Sequence, residues 1–344
     1  RYNLANTLRE AGAPEEARNH YRQVLELAPE HAAAHYNLGV VLLLLGEWRA
    51  GWREYEWRWR VPGFTTHPHP SPTPLWDGAP LRGKTILLHA EQGLGDTVQF
   101  VRYLPRVAAL GGRILLEIPA ALKTLFHGLA GVERVLLQGD PTPPHDCHAP
   151  LMSLPHLLAA TPESPAAPMP YLGLDTTAAR ALRVSLGLEN RLAIGLTWAG
   201  SPKNANDQTR SLPVGLLTPL LTVEGVDFFS LQQERPGDLT DPALRNVRDL
   251  SQGRTDFAAT ALAMGAMDLI ITVDSAPAHV AGALGLPVWL LLPFLPEWRW
   301  GRSGATTPWY PSMRLFRQRQ PHDWTELLTR VAAALTGWRQ QKPS

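Results

Sequence analysis

Leu269-Ile270-Ile271-Thr272-Val273-Asp274-Ser275-Ala276-Pro277-Ala278-His279 is the stretch that decides how this chain reads. Five apolar or β-branched residues run into an acid, Ser275 and Pro277 open a helix, and His279 follows one turn later. The pattern predicts a buried strand that delivers a polar cluster to a helix N-terminus. There, unpaired backbone N–H groups and the helix dipole favour an anion. In an α/β protein the anion suited to that position is a phosphate or diphosphate.

Working outward, short apolar runs alternate with amphipathic segments from Thr85 onward. Residues 85–89, 113–118 and 134–137 read as strands, with helices at 96–110 and 120–129 between them. A proline-rich stretch, 139–170, reads as loop apart from a short helical piece at 151–160. A second set of strands lies at 192–198, 226–231, 269–273 and 288–292. Its helices are expected near 214–221, 256–264 and 276–284. The fold class is therefore α/β: two Rossmann-like domains, 84–175 and 176–321, facing across a cleft. An amphipathic helix at 323–338, within a closing segment 322–340, should complete the second.

The first 61 residues repeat. Tyr2-Asn3-Leu4 returns as Tyr36-Asn37-Leu38, Gly12 as Gly46, Ala17 as Gly51 and Tyr21 as Tyr55, each 34 residues on. That is the period of the tetratricopeptide repeat, so residues 1–61 are expected to be an all-α segment of two repeats. Two repeats bury little alone, and Arg1 lies inside a helical pattern. The chain is accordingly expected to be a piece of a longer one with further repeats upstream. Trp52, Trp57 and Trp59 interleave with Arg53, Arg58 and Arg60, on what reads as the second repeat's last helix. Such a pattern serves either nucleic-acid stacking or docking on the neighbouring domain, and the flat charge balance favours docking. Residues 62–83, with the run His67-Pro68-His69-Pro70-Ser71-Pro72-Thr73-Pro74, form an extended linker or strap.

Composition narrows the function. Across 344 residues the net charge is +1, so no basic field points to nucleic acid or an anionic membrane surface. The longest apolar run, 40–45, is far too short to span a bilayer. Cys147 is the single cysteine, which excludes an intrachain disulfide and fits a reducing, cytoplasmic setting.

Three further loops carry polar chemistry. After the first strand comes His89-Ala90-Glu91-Gln92-Gly93-Leu94-Gly95-Asp96-Thr97. Gly93 and Gly95 permit a tight turn, but the acid after them would repel a pyrophosphate, and the dinucleotide fingerprint is incomplete. The loop suits presentation of the Asp96 carboxylate, with Gln92, Gly93 and Gly95 around it; the plainer reading of Asp96 is a helix cap. After residue 198, Gly200 and Ser201 let a ligand approach the backbone, and Lys203 and Arg210 offer cations to phosphate oxygens. The plainer reading there is a solvated surface loop. Gln232 and Glu234, after the next strand, are candidates for a ribose or base. Trp298, Arg299 and Trp300 serve either stacking on a base or sugar or packing against the other domain. His67 with His69, and the group His145, Asp146, Cys147 and His148, have a composition seen at metal sites. Neither has a second ligand pair nearby in sequence, so no metal site is expected.

Together these residues resemble glycosyltransferase family 9, which includes the bacterial heptosyltransferases and has the GT-B fold. The resemblance rests on Gly95-Asp96 leading a helix that ends near Leu104-Pro105, on Arg210-Ser211-Leu212-Pro213, and on Asp274-Ser275-Ala276 with His279. It covers roughly residues 84–335. The repeats, Tyr55-Glu56-Trp57-Arg58-Trp59, Ser153-Leu154-Pro155 and Trp309-Tyr310-Pro311 look like the repeat-containing bacterial members, some implicated in glycosylating proteins. The resemblance implies inverting transfer from a nucleotide sugar with neither metal nor cofactor, to an acceptor hydroxyl on a protein or peptide recruited by the repeats. By position Asp96 would be the catalytic base. Arg210, the N–H groups around Ser275 and Ala276, and His279 would hold the diphosphate, with Asp274 fixing the loop or ribose side. Arg210 stands where the family has lysine, and Pro277 removes one N–H from the phosphate site. The rival reading is a repeat scaffold with a degenerate, non-catalytic GT-B domain.

Overall fold

The N-terminal helices are explained by their end signals. Pro14 opens α2 (Pro14–Leu27) with Glu15 and Glu16 in its first turn, where a missing N–H costs nothing and negative charge meets the helix dipole. Gly12 and Gly46 both adopt φ +79°, turning the chain after α1 (Tyr2–Glu10) and α3 (Ala32–Leu44). They are the same position of the 34-residue period. A Cβ at Gly51, in α4 (Trp48–Tyr55), would come within 2.8 Å of Leu43, so α4 lies on α3 only because that position is bare. Tyr21 packs fully inside this helical core, and burial pushes its phenol up to about 12. Trp57 and Trp59 fall on a 3₁₀ turn, Glu56–Arg60, rather than on α4, which ends at Tyr55.

The computed structural model describes residues 1–64, 66–162, 164, 168–204, 206–252 and 256–341; residues 163 and 165–167 of the expected 139–170 loop, and residue 65 of the strap, lie outside them. These residues divide into two units. The first holds Arg1–Ala120, His127–Pro168 and Leu295–Ser303, so the repeats belong to the same body as the first sheet. The second holds Ala121–Phe126, Met169–Phe294 and the described chain from Gly304 on.

The first unit's sheet contains β1 (Thr85–His89), β2 (Arg113–Ile118), β3 (Val132–Leu137) and β4 (Cys147–Pro150), in the order β3-β2-β1-β4 and parallel throughout. The order reverses between β1 and β4, the point at which open α/β sheets bind ligands beyond their carboxyl ends. Three expectations need correction. β4 lies inside the stretch read as loop: it is four residues long and ends in proline, yet all four are buried. The helix expected at 96–110 is instead α5 (Leu94–Phe100), a 3₁₀ turn and a separate helix, Leu104–Ala109. Pro105 has no N–H to continue the ladder and its ring crowds the preceding turn. At 120–129 only Ala120–Leu122 forms a 3₁₀ turn; Leu122, Leu125 and Phe126 are buried at helical spacing but anchor a run of turns.

The second unit has six parallel strands, β5 (Leu192–Thr197), β6 (Val226–Ser230), β7 (Arg248–Asp249), β8 (Leu269–Val273), β9 (Val288–Leu292) and β10 (Met313–Arg317), ordered β10-β9-β8-β5-β6-β7. β8 and β9 are buried at every position, as strands covered on both faces must be. The terminal helix, Trp324–Gln340, starts at the Asp323 cap and buries Trp324, Leu327, Leu328, Val331 and Leu335 in this unit's core. No helix among the described residues is long and apolar enough to cross a membrane.

Candidate active site

In the second unit the reversal of strand order falls between β5 and β8, where Thr197 pairs with Thr272 and their hydroxyls bond. The loop that starts at Trp198 and the turn that starts at Asp274 therefore leave the sheet side by side. Gln232, from the neighbouring β6, fixes the first of them. Its Oε1 accepts from the Trp198 and Ala199 N–H groups, both at 3.0 Å, and its Nε2 donates to the Ala199 carbonyl at 3.1 Å. That amide is a loop clamp rather than a side chain turned toward ribose.

Arg210 lies directly over Gly200. A Cβ at Gly200 would stand 2.4 Å from an Arg210 guanidinium nitrogen, so glycine is what admits the cation there. Asp207 steers it at 3.8 Å, accepts from Ser211 Oγ at 2.7 Å and also pairs with Arg235. Ser211 Oγ in turn accepts from the Gly200 N–H at 3.0 Å. The Arg210 Nε is buried and makes no hydrogen bond among the described residues. Ser201 is half-buried and Lys203 is exposed on the same loop.

Across β5 and β8, Ser275 caps the Ala276–Ala283 helix by position only. Its hydroxyl turns back to the Val273 carbonyl at 3.1 Å, which leaves the helix's first turn without a side-chain cap. Pro277 contributes no N–H there. Asp274 is half-buried beside it. His279 is buried one turn in, and its Nδ1 bonds the Tyr310 hydroxyl at 2.9 Å. Gly282 makes room for the Tyr310 ring, which a Cβ would meet at 2.6 Å. Tyr310 is thus the positioning residue for His279. Sequence alone marked Trp309-Tyr310-Pro311 without giving it a role.

In the first unit, Asp96 occupies the third position of α5, not its cap. One carboxylate oxygen accepts from the Gly93 N–H at 2.9 Å, and the other accepts from Arg299. Arg299 is also bonded to Gln99 and Glu297 and lies 4.5 Å over the Trp298 ring. Trp298 packs edge-on against Trp52 at 5.1 Å. Of the two readings of this aromatic segment, packing is the one observed. Gln92 holds φ +58° and bonds the Tyr55 hydroxyl at 3.1 Å, so a repeat residue reaches the glycine loop directly.

Arg58 fixes the same loop from beneath. It is wholly buried, clasps Glu91 through two bonds of 3.0 and 2.7 Å, and also donates to Ser153 Oγ and Glu56. Burial works against its charge, but Glu91 and Glu56 more than offset that and hold the guanidinium above its usual range. Beside this loop His89 is buried against His69 and His148, and burial together with those two rings pushes its imidazole down to about 2.

Known proteins share these features. Residues 5–46 match the tetratricopeptide repeat, and residues 243–317 match glycosyltransferase family 9 (heptosyltransferase). The chain carries tetratricopeptide repeats and a family 9 glycosyltransferase domain. The family match includes Asp274, Ser275, Ala276, His279, Arg299 and Tyr310, and lies outside Asp96 and Arg210. The chain is 30% identical over 341 residues to the protein FlbA of Caulobacter vibrioides, spanning 90% of this chain and about half, 56%, of that relative. A family 9 glycosyltransferase from Veillonella parvula superimposes with a TM-score of 0.51 at 13% identity, covering 78% of this chain and 92% of that one. The ADP-heptose lipopolysaccharide heptosyltransferase II of Escherichia coli gives 0.51 at 15% identity, covering 74% and 99%. The fold is GT-B behind a helical repeat segment.

Proposed function

We propose that the chain is a glycosyltransferase that moves a sugar from a nucleotide donor to an acceptor hydroxyl with inversion. The observation that carries this is the pairing of β5 with β8. It sets the Gly200–Arg210 loop beside the Asp274–His279 turn at the reversal of strand order, where a diphosphate would meet a cation, backbone N–H groups and an imidazole. Gly200 and Ser201 let the diphosphate approach, Arg210 and Lys203 neutralise it, and Ser275, Ala276 and His279 stabilise the leaving charge. Gln232 holds that loop in register. Asp274 secures the turn or the ribose side. No metal ion is assigned to the diphosphate, because side-chain cations take that role.

Asp96 is the base that removes the acceptor proton, with Arg299 orienting its carboxylate and Gln92, Gly93 and Gly95 shaping the acceptor side. The acceptor is a protein or peptide brought by the repeats, in the cytoplasm. The engagement of both Asp96 oxygens is the observation that favours the rival, a scaffold without turnover. Release of nucleoside diphosphate from nucleotide sugars, ADP-heptose first, in the presence of a cell lysate separates the two. Asp96→Asn should lower transfer by roughly 10²–10⁴-fold with donor affinity within a few-fold. Full activity in that variant removes the base assignment, and no release from any donor favours the scaffold.

A further inference from the structure

The first unit gathers three histidines that are far apart in sequence. His89 ends β1, His148 lies on the adjoining β4, and His69 comes from the proline-rich strap. One ring nitrogen of each lies within 4.8 Å of the others. His89 Nε2 and His148 Nδ1 are 3.2 Å apart. Two nitrogens bound tetrahedrally to one zinc ion, each at 2.0–2.1 Å, stand about 3.3 Å apart. Glu117, at the end of β2 and paired with His89 in the sheet, is 3.3 Å from His69 Nε2. All four side chains are buried or nearly so, His69 being the most exposed at 13%.

We propose that His69, His89 and His148 form a binding site for one divalent transition-metal ion, zinc by preference. This departs from the reading of the sequence, which placed no metal here. Three imidazoles are a borderline donor set suited to zinc and its neighbours rather than to magnesium or calcium. Two of the ligands stand on adjacent strands of a buried sheet, which fixes their spacing before any ion arrives. The outer partners that tune such ligands are also present. Glu117 bonds His69, and His148 bonds the Thr73 backbone.

His69 is the ligand that must adjust. Its Nδ1 now accepts from the Ser71 N–H at 3.1 Å and its Nε2 faces Glu117, so ligation requires release of one of these. The strap around it is already laid along β4, with Trp76 N–H donating to the His148 carbonyl at 2.8 Å and His148 N–H to the Pro74 carbonyl at 3.1 Å. An ion at this site would bind strap and sheet together. Every ligand belongs to the first unit and none is a donor-loop residue of the second, so the site does not rest on the transferase reading.

The test is zinc binding by the chelator-treated full chain, read by isothermal titration against a competing chelator and by the melting temperature. One equivalent should bind, and the melting temperature should rise with zinc concentration by mass action. His69→Gln, on the strap, should weaken binding on the order of 100-fold, and Glu117→Gln roughly 10–100-fold. His127→Gln, outside the cluster, should leave it unchanged. Cobalt(II) in the unaltered chain should give the intense visible bands of a four-coordinate site, a reading that depends on no variant folding. Absence of one-to-one binding, a six-coordinate cobalt spectrum, or unaltered affinity in His69→Gln overturns the proposal.

Discussion

A single missing methyl group sets the reach of Arg210. The Gly200 position faces the guanidinium so closely that any side chain there would stand 2.4 Å from it, and Arg210 must then swing off the loop. Gly200→Ala should therefore leave the melting temperature within a degree or two while weakening nucleoside diphosphate binding about tenfold, or roughly 1.4 kcal/mol, by isothermal titration. Unchanged affinity would mean that Arg210 does not hold the donor. The residue scale is also where sequence was least informative. Arg210 and Gly200 could be named from type and spacing. The bond between Asp96 and Arg299 spans 203 positions, that between His279 and Tyr310 spans 31, and that between His89 and His148 spans 59. No local pattern encodes such pairs, because the sheet order brings them together.

Elements were more legible, for reasons visible in particular segments. β8 and β9 announce themselves as unbroken apolar runs because both of their faces are covered. β4, with histidine and proline in four residues, has no such mark. The short 3₁₀ turn after α4 is also obscure in sequence, yet it carries the most consequential ion pair in the first unit. Arg58 enters a pocket with Glu91, and burial holds the Glu91 carboxyl above the ordinary carboxylate range despite Arg58. Arg58→Met would leave that carboxylate buried and unpaired, a loss of about 3–5 kcal/mol. The sign with pH comes from the direction of the Glu91 shift. A carboxyl whose folded pKa is raised favours the folded state below its unfolded pKa, and that contribution is lost as pH rises through the folded value. Removing Arg58 raises the folded value further. The deficit of Arg58→Met relative to the unaltered chain should be larger at about pH 8 than at about pH 5 in urea unfolding. A deficit independent of pH would mean that Glu91 is solvated when unpaired.

On the scale of the whole molecule, the 34-residue period predicted the repeats but not their relation to the neighbouring sheet. They share one body with it. Trp52, fully buried, meets Phe100 of α5 at 5.8 Å, Arg58 clasps Glu91, and Tyr55 bonds Gln92. A chain starting at residue 62 would uncover all three contacts. It should lack the cooperative unfolding transition of the first unit in calorimetry, rather than merely lose a partner. A cooperative transition of undiminished enthalpy per residue in that shortened chain would show the repeats to be an accessory.

Leu295–Ser303 returns to the first unit after the chain has passed through most of the second. Domains synthesised on a ribosome generally mature from the N-terminus, but here the earliest body to emerge waits for one of the last segments. Until translation passes Arg299, Asp96 lacks its guanidinium and Trp52 its Trp298 neighbour. A nascent chain arrested shortly before that point would present an unfinished first unit, an attractive client for chaperones.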